Sequence, residues 1–265
     1  MADRELSSDE RPVGRARAVE LVSIILAVLV VGGVLGGLAL VLVGRDASGL
    51  EIPAVTAEGV GLTLGATAQP FAPDRACGVY VVPVDGTSER VAARLVRALP
   101  RRVPVQACAT PSFRLDTAAV DHQRRQLDAV IVADQLARAF QDVRGIAPAT
   151  ILGVTSFDMY SSAFATDPFD FGVAKQFSQQ KQGFAIVSTA RMGSGEERFT
   201  RLETMAMRYV GLLYFGLPES SSPTSALAPS PRTLEDLDRL EPNFSDPQPS
   251  NAELVAARKE FLSRK

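Results

Sequence analysis

The chain begins with a polar stretch, which is followed by one long apolar run. Between Leu21 and Val43 this run contains no charged residue, and Ser23 is almost its only polar one. A helix of that length extends for about 34 Å, which is enough to cross the hydrocarbon core of a bilayer. The pattern therefore predicts a transmembrane helix over residues 21–43.

Two other interpretations of the run stay open. A cleaved signal peptide usually has a shorter apolar core, with a small-x-small cleavage site close behind it. Here the clearest triplet of that kind, at residues 66–68, lies far downstream. A helix buried in a protein core is the third interpretation, although apolar runs of that kind are usually shorter.

The arginines on either side of the run predict its orientation. Arg11, Arg15 and Arg17 precede it, whereas Arg45 is the only basic residue that follows it closely. Cytoplasmic flanks are the ones enriched in arginine and lysine. We therefore expect a single-pass protein of the cell membrane, with a disordered cytoplasmic tail over residues 1–20 and the main domain outside the cell.

Glycines within the run suggest a second use for it. Two overlapping G-x-x-x-G patterns occur, and small residues at this spacing let two helices approach closely in lipid. These glycines are Gly32, Gly33, Gly36 and Gly37. A homodimer through this face is one hypothesis, and the other is that glycine is simply common in membrane-spanning helices.

Beyond a linker predicted over residues 44–75, apolar positions alternate between strand-like and helix-like spacing. Continuous apolar runs indicate strands buried on both faces, and apolar residues three and four positions apart indicate helices against a sheet. Strand, helix, strand, helix and strand follow one another at residues 78–84, 88–99, 103–107, 121–140 and 150–155. That order predicts a parallel sheet with right-handed crossovers.

The second half of the chain predicts a different arrangement. Two further strands are expected at residues 169–174 and 184–189, the first of them at a sheet edge. A long helix follows over residues 196–215 and ends at Gly216 and Pro218. Shorter helices are expected at residues 234–240 and 251–263.

The two cysteines, Cys77 and Cys108, are predicted to be free and buried. An extracytoplasmic location would permit a disulfide. On the predicted strands, however, Cys77 starts one strand and Cys108 ends the next parallel one, about 16 Å apart along the sheet. A disulfide requires Cα atoms within about 7 Å of each other.

Six segments of this region resemble archaemetzincins, which are zinc metalloproteases of the metzincin group. They are GVYVVPV at 78–84, RRQLDA at 124–129, GVTSFDMY at 153–160, FGVA at 171–174, IVSTAR at 186–191 and the stretch 230–244. The resemblance implies an α/β fold over residues 76–245, a metzincin-like mixed sheet with flanking helices. Residues 246–265 would add a C-terminal helix, and the transmembrane helix would precede the whole.

The resemblance places zinc chemistry on the helix before Gly216, where the family carries H-E-x-x-H-x-x-G-x-x-H. In this chain Arg208 stands at the first ligand position, Tyr209 at the general base, and Leu212 and Pro218 at the other two ligands. A catalytic zinc needs three protein ligands and a water. Leucine and proline side chains have no atom that can bind a metal ion, and arginine stays protonated and so cannot bind one either. His122 is the only histidine in the sequence. We therefore expect no metal and no other cofactor.

These residues favour a membrane-anchored, non-catalytic pseudo-metalloprotease at the cell envelope, which binds a peptide or protein or serves a structural role. The alternative is a peptidase or other hydrolase whose catalytic site has moved or uses no zinc. The net charge of −2 gives no basic footprint for nucleic acid. A hydrophobic fraction of 46% is sufficient for one ordinary core beside the anchor.

Overall fold

A computed structural model describes residues 76–85, 87–140, 148–164, 166–177 and 181–264. These residues belong to one compact unit, Val43–Lys265. The predicted tail, the predicted transmembrane helix with its glycine pairs, and the whole of the predicted linker lie outside the described residues. Across the described ranges, no helix is long and apolar enough to cross a membrane.

A five-stranded mixed sheet forms the centre of the unit, in the order β2-β1-β5-β8-β7. The first four strands run parallel and β7 is antiparallel to β8. The strands are β1 (Val79–Pro83), β2 (Ala107–Ala109), β5 (Thr150–Thr155), β7 (Gly172–Phe177) and β8 (Gln182–Ser188). The predicted parallel core and the predicted edge strand are thus confirmed.

Helices cover both faces of this sheet. The main helices are α1 (Glu89–Arg102), α2 (Ala129–Phe140) and α3 (Gly195–Tyr209). Alternate residues of β1 face opposite sides, so that Val79 and Val81 pack with α1 and α3, while Tyr80 and Val82 pack with α2. Strands β1, β5 and β8 are buried along their whole length, which is why their central residues are apolar in the sequence.

The predicted helix over residues 121–140 is correct only from Ala129 onwards. The Asp121 carboxylate accepts hydrogen bonds from the backbone N–H groups of Gln123 and Arg124, both at 2.9 Å. These two bonds fix a turn. Gln126–Asp128 then forms strand β4, and the Gln126 Nε2 donates to Asp158 Oδ2 at 2.8 Å. A small second sheet results, in which β4 lies between β3 (Val120–Asp121) and β6 (Met159–Tyr160).

The prediction of free cysteines is wrong, because Cys77 and Cys108 form a disulfide with a Cα–Cα distance of 6.1 Å. The second strand was expected at residues 103–107, which would have placed Cys108 at its far end. Instead β2 is Ala107–Ala109, and Cys108 pairs with Tyr80 near the start of β1. Shifting the strand along the chain brings the two sulfur atoms within bonding distance.

The predicted helix over residues 196–215 exists, but its last part is not α-helical. Val210–Phe215 forms a π-helix, whose backbone hydrogen bonds span five residues instead of four and so accommodate one additional residue. Gly216 ends it at a φ of 66°, a left-handed conformation that glycine adopts without steric cost. A Cβ at Gly216 would lie 2.1 Å from the Phe261 ring, so this position is also closed to larger residues.

Two C-terminal helices lie where they were predicted, at residues 234–240 and 251–263. They are α4 (Leu234–Arg239) and α5 (Asn251–Ser263), and each begins with a capping box. Helix α5 packs beside the π-helix, where Arg258 donates hydrogen bonds to the carbonyl oxygens of Tyr214 and Pro148. The C-terminal helix thereby holds the end of the π-helix in place.

Candidate functional site

Arg208 lies at the end of α3 and is only 2% exposed. Its Nη1 donates to the carbonyl oxygens of Ala226 and Ala228. Its Nη2 donates to Glu219 Oε1 at 2.7 Å and to Ser230 Oγ at 3.2 Å. The guanidinium therefore joins the helix to the loop that follows it, and its charge is balanced by a carboxylate.

The loop over residues 225–228 is buried directly against this helix. Its backbone is held by a hydrogen bond from the Ala226 N–H to the Asn243 carbonyl, at 2.8 Å. Leu227 packs on Gly211, where an added Cβ would come within 2.7 Å of the Leu227 side chain. Arg208 and this tight apolar contact fix the loop from two sides.

Tyr209 is buried with its hydroxyl against Gly172 of β7. Burial raises the pKa of its phenol far above the usual range, and the nearby Asp170 carboxylate raises it further, while the charge of Arg208 has the opposite effect. The phenol is therefore protonated at any physiological pH. It cannot replace the carboxylate that the resemblance implies at this position.

A groove of about 360 Å³ lies beside these residues. Its walls come from the end of α3, the edge strand β7, the segment before β7 and the segment before α4. The lining residues include Arg208, Tyr209, Leu212, Asp170, Ala174 and Arg232. Three of the four predicted site residues thus meet in one groove, whereas Pro218 does not line it and is exposed.

Strand β7 presents one open backbone edge in this groove. The Ser188 N–H donates to the Phe171 carbonyl, which makes this pair a hydrogen-bonded one in the antiparallel ladder. Hydrogen-bonded and non-hydrogen-bonded pairs alternate, so the backbone groups of Ala174 and Gln176 point away from β8. Ala174 is a groove residue, and its N–H and C=O are therefore directed to the side where another strand could pair.

Two carboxylates lie at the same groove. Desolvation raises the pKa of the Asp170 carboxyl, although a hydrogen bond from the Gly172 N–H at 3.0 Å lowers it, and the charge of Asp167 raises it further. Asp167 Oδ1 lies 4.0 Å from Arg232 Nη1. The groove is thus bordered by charges of both signs rather than by one cluster of acids.

These residues do not fit a zinc ion. Within the described ranges, no group of three or more His, Cys, Asp or Glu side chains could hold a metal. Arg208 and Leu212 offer no electron pair that could bind a metal ion, and the Glu219 carboxylate is already hydrogen-bonded to the guanidinium. A cation introduced there would also meet the fixed positive charge of Arg208.

Comparison with solved structures identifies the fold. The archaemetzincin of Archaeoglobus fulgidus, solved as a malonate complex, superposes with a TM-score of 0.51 and 19% identity, over 68% of this chain and 98% of that one. The archaemetzincin of Methanopyrus kandleri superposes with a TM-score of 0.53 and 20% identity, over 73% of this chain and 100% of that one. The chain has an archaemetzincin-like fold.

A zinc-dependent peptidase from Methanocorpusculum labreanum has the same archaemetzincin-like fold, with a TM-score of 0.54 and 20% identity over 68% of this chain and 100% of that one. No model of a known protein family matches the chain, and no curated protein matches it. At this level of identity the likeness extends to the fold, and the chemistry must be argued from the residues present.

Sequence reasoning missed Glu219, the partner of Arg208. The motif of the resemblance ends three residues after its turn glycine, and the residue in left-handed conformation here is Gly216. Counted from Gly216, the last ligand position falls on Glu219 rather than on Pro218. The sequence shows that the glycine lies one residue later than the motif requires, at 216 instead of 215. It does not show the π-helix that accommodates this additional residue.

Proposed function

We propose that the chain is a membrane-anchored, non-catalytic relative of the archaemetzincin fold, whose groove beside β7 binds an extended peptide segment at the outer side of the cell membrane. The observation that carries this proposal is the buried Arg208 guanidinium, with its four hydrogen bonds to the following loop and to Glu219.

The positions of Arg208 and Glu219 make the proposal specific. The resemblance places the first zinc ligand at 208, and the count from Gly216 places the last one at 219. In the site that the resemblance implies, a metal ion supplies the positive charge and bridges the two positions. Here the ion pair between arginine and glutamate supplies both. Metal-dependent hydrolysis at this position would need a Lewis acid and an activated water, and neither a guanidinium nor a protonated phenol supplies them.

The disulfide supports the proposed location. Disulfides persist in oxidising compartments and are rare in the cytosol. Cys77 and Cys108 lie beyond the predicted anchor, on the side that the arginine distribution assigns to the exterior. The covalent bond and the predicted orientation therefore agree, although they rest on independent features of the chain.

Elemental analysis of the purified full chain in neutral detergent should find zinc well below one ion per chain. Chelators should not change the cooperative folding of the chain. The physical reason is that, among the residues that the structure describes, no three metal-ligating side chains converge on the helix end at Arg208. The matching activity assay uses a mixture of unstructured peptides with mass-spectrometric detection. Chelator-sensitive cleavage that disappears on altering residues 208–219 would instead establish the alternative, an active hydrolase.

An Ala174→Pro variant should lose binding of extended peptides by at least about tenfold, because proline removes the N–H directed to the open edge while leaving the ladder to β8 intact. The ligands would be peptides selected from a random phage-displayed library on the immobilised full chain. Ala174→Ser is the matched control, since it keeps the N–H. Equal binding by both variants would contradict pairing at this edge, and failure to select any peptide would favour a purely structural role.

A further inference from the structure

A second groove lies between α1 and α3 and shares no lining residue with the groove beside β7. Its volume is about 560 Å³, and Phe199 and Thr200 contribute to its wall. Its charged residues are Arg94, Arg97, Arg101, Arg102, Glu196 and Glu203, so the lining carries a net formal charge of +2. This excess contrasts with the net charge of −2 for the whole chain.

Two of the four arginines are already held by carboxylates of α3. Arg94 donates from Nη1 and Nη2 to the two carboxylate oxygens of Glu196, with an Nη1–Oε1 distance of 3.0 Å, and its guanidinium stacks on Phe199 at 3.7 Å from the ring centroid. Arg102 Nε donates to Glu203 Oε1 at 3.0 Å. These pairs fix the two walls relative to each other and use both glutamates of the groove.

The other two arginines have no such partner. Arg97 and Arg101 are exposed, and neither forms an ion pair or a side-chain hydrogen bond within the described part of the chain. They are four residues apart on α1, a spacing at which like charges face each other and destabilise a helix. A cation in the last turn, such as Arg101, is favoured by the helix dipole, but this does not account for Arg97.

We propose that this groove binds a phosphate group through Arg97 and Arg101. A phosphate monoester carries close to two negative charges at neutral pH, which matches two guanidinium groups, whereas one carboxylate would compensate only one of them. Guanidinium forks bind phosphate oxygens through paired hydrogen bonds. The volume exceeds that of one phosphate, so the group can belong to a lipid headgroup or to a soluble anion.

The test measures binding of inorganic pyrophosphate to the full chain in neutral detergent at low salt, by titration calorimetry. The Arg97→Gln/Arg101→Gln variant should weaken binding by at least about tenfold, because the charge-assisted hydrogen bonds are lost. The control, Arg138→Gln/Lys259→Gln, removes the same charge from exposed positions on α2 and α5 and should change affinity by less than about twofold. Circular dichroism would verify that all variants fold.

Competition then distinguishes the two sources of phosphate. Nanodiscs that contain phosphatidic acid should displace pyrophosphate if the natural ligand is a lipid headgroup, and should leave it bound if the ligand is soluble. Either result agrees with a phosphate site. Absence of pyrophosphate binding by the unaltered chain, or equal weakening in both double variants, would overturn the proposal without affecting the peptide groove beside β7.

Discussion

Replacing Arg208 by methionine should lower the free energy of unfolding by about 2–6 kcal/mol, because two buried carbonyl oxygens would lose their hydrogen-bond donor at a cost of about 1–3 kcal/mol each. Methionine fills most of the space, but it leaves the carbonyl oxygens of Ala226 and Ala228 without their donor. Glu219 contributes less to the loss, because its side chain is 60% exposed and water can solvate it.

Urea unfolding of the full chain in neutral detergent, followed by circular dichroism, measures this change. The matched control is Arg239→Met, because Arg239 pairs with Glu235 one helical turn away while its side chain remains 59% exposed. This control should lose no more than about 0.5 kcal/mol. A loss below about 1 kcal/mol for Arg208→Met would mean that the loop rearranges, and that the guanidinium does not hold it in place.

The Glu219→Gln variant separates the ion pair from the carbonyl contacts. Glutamine keeps an acceptor oxygen for Arg208 Nη2 but removes the charge, and the exposure of this side chain limits the expected loss to about 1 kcal/mol. A loss as large as that of Arg208→Met would instead assign the stabilisation to the pair itself. The two variants together therefore tell whether Arg208 acts mainly as a charge or mainly as a donor to the loop.

Much of the sheet could be predicted because burial on both faces leaves a direct trace in the sequence. The run at 78–84 is apolar, those at 150–155 and 184–189 have polar residues only at their ends, and strands β1, β5 and β8 occupy nearly the same positions. Of the segment predicted as a strand at 103–107, only the last residue, Ala107, belongs to β2. Pro104 lacks an N–H, and the Val105 N–H turns back to the Val103 carbonyl at 2.8 Å.

The candidate site was predictable only as a set of positions. Apolar spacing predicted the helix, and the resemblance to archaemetzincins then assigned Arg208, Tyr209 and Leu212 to positions of the family's zinc motif. The contact with Glu219 depends on the additional residue in the π-helix and on the left-handed Gly216, which no periodicity in the sequence specifies. Pairing across such a break requires the three-dimensional path of the loop.

Replacing both Cys77 and Cys108 by alanine should lower the free energy of unfolding by about 3–4 kcal/mol. The expected size follows from the chain entropy of the loop that the disulfide closes, given the sequence separation of 31. This loop contains β1, α1 and the beginning of β2, so that the bond joins the start of β1 to the middle of β2. Without the bond, the unfolded chain gains freedom in a segment that contributes the centre of the sheet.

Reduction of the unaltered chain is the second measurement and supplies its own control. A reductant should lower the urea midpoint of the unaltered chain by a similar amount and should leave the double alanine variant unchanged, because that variant has no sulfur atoms to reduce. If the reductant also shifted the midpoint of the variant, the effect would have to come from a source other than this bond.

The same cysteines connect stability to membrane orientation. The cytosol keeps thiols reduced, so a domain on that side of the membrane would lack the stabilisation that the disulfide provides. Thiol alkylation of intact cells before lysis should therefore leave Cys77 and Cys108 unlabelled, with labelling only after reduction. If both thiols were labelled without reduction, the domain would face the cytosol, and the orientation expected from Arg11, Arg15 and Arg17 would be reversed.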